Sequence, residues 1–93
     1  MPRTRDPQSV LRVFIADGRL TSMPRAGRKR QIVLEHIVTV IEPGVRYSEA
    51  EVNAILRSFW ADVAALRRYL VDAQLLERAD GMYWRIGGVV DVG

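Results

Sequence analysis

The chain has 93 residues, enough for one small domain but not two, and it contains no cysteine, which excludes disulfides and thiolate metal sites. Its formal charge is +3, but the excess is confined to one end: residues 1–30 carry eight basic residues against Asp6 and Asp17, a net of +6, whereas residues 31–93 carry six against nine acids, a net of −3. No apolar run approaches the ~18 residues that span a membrane, and the polar opening MPRTRDPQSV has no apolar core of a secretory signal, so a cytoplasmic location is expected.

Met1–Arg5 reads as a flexible basic arm. Asp6-Pro7 suits a helix N-cap and first helical position. Val10, Leu11, Phe14 and Ile15 then share one helical face, and Gly18 is placed to close that short helix with a left-handed cap. Arg19–Thr21 reads as a short extended segment that ends at Met23-Pro24, because the residue before proline avoids helical angles. The basic segment Arg25, Arg28, Lys29 and Arg30 leads into a long helix predicted over Arg28–Ile41. Its stripe is Val33, Leu34, Ile37, Val38 and Ile41, and the additional Ile32 and Val40 predict burial on a second side. Pro43-Gly44 ends it.

Val45–Tyr47 is a strand candidate, and Ser48 with Glu51 has the spacing of a capping box. The helix that follows buries Val52, Ile55, Leu56 and Phe59. Trp60-Ala61 makes a turn, and Asp62 caps a second helix with inner face Val63, Leu66, Leu70 and Ala73. Leu75–Ala79 and Met82–Ile86 are predicted to pair about Asp80-Gly81, a preferred two-residue hairpin turn because both positions take positive φ. Gly87–Gly93 reads as a frayed tail, which leaves a single domain over residues 6–86. Helix, turn, helix and hairpin in this order predict a mainly α fold with a small β-hairpin: a winged helix-turn-helix preceded by one short N-terminal helix.

The stretch Asp62–Ile86 resembles the recognition helix and wing of ArsR-type winged-helix repressors. A wider pattern runs over roughly residues 10–86: Phe14, Gly18-Arg19-Leu20, Pro24, Lys29-Arg30, Tyr47-Ser48-Glu49, Glu51-Val52-Asn53, Asp62, Leu66-Arg67-Arg68, Leu70-Val71-Asp72, Arg78, Gly81, Tyr83 and Arg85. That combination is similar to domain-of-unknown-function family 2087, a bacterial family found alone or behind a winged-helix regulator domain. The resemblance implies a fold and a neighbourhood in transcription control, but no activity. In one departure, Gln74 stands at the helix exit where the resemblance favours glycine, which predicts a locally different exit.

Two surfaces are candidates for function. Arg25, Arg28, Lys29 and Arg30 sit at a helix N-terminus suited to gripping phosphate, with a solvated loop as the plain alternative. Arg67 and Arg68 suit phosphate contacts or, for Arg68, a guanine edge; the structural alternative pairs Arg68 with Asp72, and Arg67 with Glu51 or Asp62. The outward face of the second helix offers Ala61, Ala64, Ala65, Arg68, Val71 and Asp72, poor in the donors that read bases. Ala61, Ala64, Ala65 and Val71 suit a protein interface instead, or burial under the N-terminal helix. Of Tyr83 and Trp84, which alternate on the hairpin, the outward one is available to stack on a base or seed an interface. Glu49 and Asn53 fall on an exposed face, and His36 is a lone histidine. No metal, cofactor, small-molecule or catalytic motif is recognisable, so the chain reads as a non-enzyme. The expected function is a transcription-regulator-type domain that binds double-stranded DNA mainly through phosphates. The alternative is an interaction module that forms a homodimer or docks a regulator protein.

Overall fold

The computed structural model describes residues 7–87. The expected basic arm, the Asp6 cap and the tail beyond Gly87 lie outside the described residues. Four helices and two small antiparallel sheets follow one another: α1 (Pro7–Phe14), β1 (Ile15–Ala16), β2 (Arg19–Leu20), α2 (Gly27–Val38), β3 (Tyr47–Ser48), α3 (Glu49–Arg57), α4 (Val63–Asp72), β4 (Leu76–Ala79) and β5 (Met82–Arg85). The larger sheet has the order β3-β5-β4, with Tyr47 opposite Tyr83 and Arg78 opposite Tyr83 on its other side.

The first region departs from the expected helix closed by Gly18. Helix α1 stops at Phe14, and Ile15 enters a strand that pairs with Leu20. Asp17 (φ 53°) and Gly18 (φ 75°) form the turn, both in the left-handed region that a tight hairpin requires. Tertiary contacts decide against the longer helix. The Leu20 amide donates to the Phe59 carbonyl at 2.9 Å, and the Thr21 amide to that of Phe14 at 2.7 Å. Arg19 Nη1 donates to the Ser58 carbonyl at 3.2 Å, satisfying an orphan acceptor past the end of α3. The Gly-Arg-Leu triplet thus supplies a turn, a cap and a buried apolar plug.

Helix α2 also ends before the expected Ile41. Beyond Val38 the turn tightens: the amides of Thr39, Val40 and Ile41 reach back three residues to His36, Ile37 and Val38. The Thr39 hydroxyl competes for the His36 carbonyl at 2.6 Å. The tighter turn keeps Ile41 in the core and turns Val40 outward, so the predicted burial of Val40 does not occur.

The later elements follow their local signals. The Ser48 amide donates to Glu51 Oε1 at 2.8 Å and the Glu51 amide to Ser48 Oγ at 3.2 Å, which completes the capping box. Asp62 Oδ1 accepts from the Ala65 amide at 3.1 Å. The exit of α4 is not altered by Gln74, contrary to expectation. Gln74 itself takes the left-handed conformation, at φ 61°. Its amide donates to the Val71 carbonyl and that of Leu75 to Leu70, both at 3.0 Å, the paired bonds of a Schellman cap. Burying Leu70 and Leu75 side by side offsets the strain of the non-glycine cap.

One core serves all of these elements. Val33, Leu34, Ile37, Val38 and Ile41 meet Val52, Leu56 and Phe59 of the α3 region, Leu66 and Leu70 of α4, and Leu75, Leu76 and Tyr83 of the sheet. Helix α1 packs on α2, with Val10 buried. Among the described residues no helix is long and apolar enough to cross a membrane.

Because Gln74 carries a side chain where glycine is unstrained, Gln74→Gly is expected to stabilise the fold by about 1 kcal/mol. Urea denaturation checks this as a rise in midpoint at unchanged slope.

Candidate functional site

Arg67 and Arg68 are neighbours on α4 with different tasks. Arg67 is half-buried, and its Nη1 donates to Asn53 Oδ1 at 2.7 Å and lies 3.5 Å from Glu49 Oε2. The sequence paired it with Glu51 or Asp62, but both carboxylates cap helices and neither lies within ion-pair distance of Arg67. Glu49 and Asn53 take their place, one turn apart on the facing side of α3 rather than on an idle surface. Tyr83 Oη donates to Glu49 Oε1 at 3.1 Å, and its ring centroid lies 5.7 Å from the Arg67 guanidinium. A single carboxylate therefore joins α3, α4 and β5.

Arg68 is exposed and forms no ion pair with Asp72, the other pairing expected from the sequence. Its guanidinium lies 5.9 Å from the Tyr69 ring centroid. Arg30 lies over the same ring at 4.4 Å, and its Nε donates to the Pro24 carbonyl at 2.9 Å. Tyr69 is thus the joint that brings the basic segment of α2 against α4. Arg30 is committed to that joint. Arg25, Arg28 and Lys29 are exposed, with no hydrogen-bond or ion-pair partner among the described residues. They flank the start of α2, whose N-cap residue Ala26 offers no side-chain acceptor to the first-turn amides. Unclaimed amides and adjacent cations at a helix N-terminus have the chemistry of an anion site.

Helix α1 lies on α2, so Ala61 and Ala64 remain exposed, with Ala65 and Val71 half-buried. Between α4 and the β4–β5 hairpin is a cleft of about 300 Å³. Ala64, Arg67, Arg68, Val71 and Asp72 line it from the helix, and Arg78 and Tyr83 from the hairpin. Arg78 belongs with the functional candidates, although the sequence marked it only as part of the family pattern. Its signal was the hairpin register: opposite Tyr83, it shares the face turned toward the helices. Hydrogen bonding to Tyr83 and the charge interaction with that phenol, with a lesser contribution from Glu49, hold the Arg78 guanidinium above its ordinary value against the opposing effect of desolvation, so it is charged at any physiological pH.

Trp84 is the outward aromatic of the pair, and Arg46 covers it at 4.2 Å from the ring centroid. His36 meets Phe59 edge-on at 6.4 Å. Among the described residues no three His, Cys, Asp or Glu side chains are grouped as a metal site.

Comparison with known families adds one finding. The family described as "Uncharacterized protein conserved in bacteria (DUF2087)" matches residues 19–85. No curated protein and no solved structure matches the chain.

The unequal roles of the two arginines have a measurable consequence. Arg67→Ala leaves Glu49 and Asn53 without their donor and is expected to cost about 1–2 kcal/mol, reduced from a fully buried pair by solvent access to Glu49. Arg68→Ala should stay within the ~0.5 kcal/mol typical of surface positions. Denaturant titration of both variants tests the distinction, and equal losses would contradict it.

Proposed function

We propose that this chain, which belongs to the DUF2087 family, is a bacterial winged-helix domain that binds double-stranded DNA mainly through phosphates. One observation carries the proposal: the uncommitted cations of the α2 N-terminus lie next to α4, joined to it at Tyr69. The order of α2, β3, α3, α4 and the β4–β5 hairpin, with β3 added to β5, supports the winged-helix assignment. In this reading α4 lies against the duplex and Arg25, Arg28, Lys29 and Arg68 neutralise backbone charge. Arg30 and Arg67 move from contact residues to supports, because their donors are spent within the fold.

Helix α4 offers little for reading sequence. Its exposed positions are Ala64, Arg68 and Asp72, with Arg68 the one long donor among them. Binding of this kind positions a protein on DNA without selecting a site. A role in transcription control then takes its sequence choice from a partner regulator, and it is exercised in the cytoplasm, where bacterial DNA lies. Self-association through the same face is disfavoured: a two-fold axis there would set Arg68 and Arg78 of one copy close to those of the other.

Fluorescence anisotropy with a mixed-sequence duplex tests this proposal. The logarithm of the affinity should fall linearly with log salt between about 50 and 200 mM. Arg28→Ala combined with Lys29→Ala should flatten that slope by up to about 1.8, at ~0.9 per phosphate contact. No binding at the low-salt end would overturn the DNA reading. Sedimentation of a stable dimer that Ala64→Glu dissociates would favour an interface instead.

A further inference from the structure

We infer that the cleft between α4 and the β4–β5 hairpin is an oxyanion site that takes a phosphate group. It goes beyond the nucleic-acid reading, with which it shares Arg68; that reading depends mainly on the segment Arg25–Lys29, so the two can fail separately.

The first argument is charge. Three guanidinium groups line the cleft, those of Arg67, Arg68 and Arg78, against the single carboxylate of Asp72. Glu49 balances Arg67. Arg68 and Arg78 have no carboxylate within ion-pair distance among the described residues, so the cleft keeps a net positive charge.

The second argument is an unfilled hydrogen bond. Arg67 Nε is a buried side-chain donor without an acceptor. Such groups are rare in folded proteins because burying one unpaired forfeits its hydration without return. Its guanidinium uses Nη1 for Asn53 and Glu49. Nε and Nη2 form the other edge, the side-on fork that binds an oxyanion through two parallel bonds. The same side chain lines the cleft and keeps 16% of its surface exposed.

The third argument is shape. Arg67 and Arg68 approach from the helix and Arg78 from the hairpin. One fork satisfies a planar carboxylate, whereas donors on two walls suit a tetrahedral phosphate. Ala64 leaves room on the helix side, and about 300 Å³ accommodates a phosphate with a small organic body. Tyr83 Oη already donates to Glu49, so it orients Arg78 and does not donate to the ligand. Asp72 opposes the anion and weakens its binding.

Either a duplex backbone or a small phosphorylated molecule can present this group, and NMR of the arginine Nε–H signals separates the two. Inorganic phosphate, titrated against chloride at matched ionic strength, should move the Arg67 Nε–H signal to saturation. Arg68→Ala with Arg78→Ala should weaken binding about ten-fold or more, as charge-assisted bonds are lost. Ala64→Leu should block the cleft without altering its charge. Asp72→Asn should tighten binding several-fold, and Arg46→Ala, on the opposite face of the sheet, should leave it in place. A short duplex that moves the same Nε–H signals identifies backbone phosphate as the source. A duplex that leaves them unmoved, while phosphate still saturates them, assigns the site to a small phosphorylated molecule. Shifts that never saturate, that chloride reproduces, or that survive both the double variant and Ala64→Leu would overturn the inference.

Discussion

Glu49 accepts from Tyr83 with one carboxylate oxygen and faces Arg67 with the other, while Arg67 donates to Asn53 a turn further along α3. Four side chains thereby lock three elements that the apolar core alone would leave free to slide. Leucine and isoleucine packing between α3 and α4 is tolerant of small shifts in angle and register. A charge-assisted network with fixed donor geometry is not. The hairpin has few buried contacts of its own, and only Leu76 and Tyr83 of its strands reach the core. The bond from Tyr83 to Glu49 therefore helps set its position over α4, together with the pairing of β5 to β3. The cost of desolvating Arg67 is partly met by its half-exposed partner, so the network fixes geometry more than it adds net stability.

Local signals were legible in the sequence where a residue had only one structural use. Ser48 and Glu51 formed the expected capping box, Asp62 the expected cap, and Asp80-Gly81 the expected turn. The identical dipeptide Asp17-Gly18 went unread as a hairpin because Val10, Leu11, Phe14 and Ile15 also fit a helical face. Only the docking of Leu20 on Phe59, 39 residues away in sequence, selects the strand. Arg67 illustrates the same limit. Glu51 and Asp62 were at plausible spacing, but both lie beyond ion-pair distance of Arg67 in the fold. Which acid remains depends on how α3 and α4 cross, a tertiary property. Gln74 shows the reverse case: its poor intrinsic preference for the left-handed cap is overridden by burial of Leu70 against Leu75.

Total charge is a poor guide to this surface, because the arginines are divided between two kinds of work. Arg19 and Arg30 donate to backbone carbonyls, Arg46 covers Trp84, Arg67 holds the central network, and Arg85 donates to the carbonyls of Ile41 and Gly87. These cations act as planar groups that donate hydrogen bonds or, for Arg46, cover an aromatic ring, which lysine could not replace in the same way. Arg25, Arg28, Lys29, Arg68 and Arg78 are exposed and are not held in this way by backbone carbonyls or carboxylates. The sequence grouped Arg30 with Arg28, and Arg67 with Arg68, because adjacency is all that a linear chain displays. In the fold each of these groups splits into a support and a free charge.

That division bears on what the exposed face of α4 can recognise. A base edge is read by a donor or acceptor held at a fixed position, and Ala64 on the helix, like Ala61 just before it, provides neither. Phosphate makes a lesser demand, since a guanidinium on a long side chain adapts to it and the attraction is undiminished by base identity. The small side chain of Ala64 is then useful in its own right. It leaves open the floor of the cleft between Arg68 and Arg78, which a long polar reader at that position would close. In the proposed reading, the scarcity of base-reading side chains on the helix and the three guanidinium groups around the cleft are two aspects of one surface, suited to charge and shape rather than to sequence.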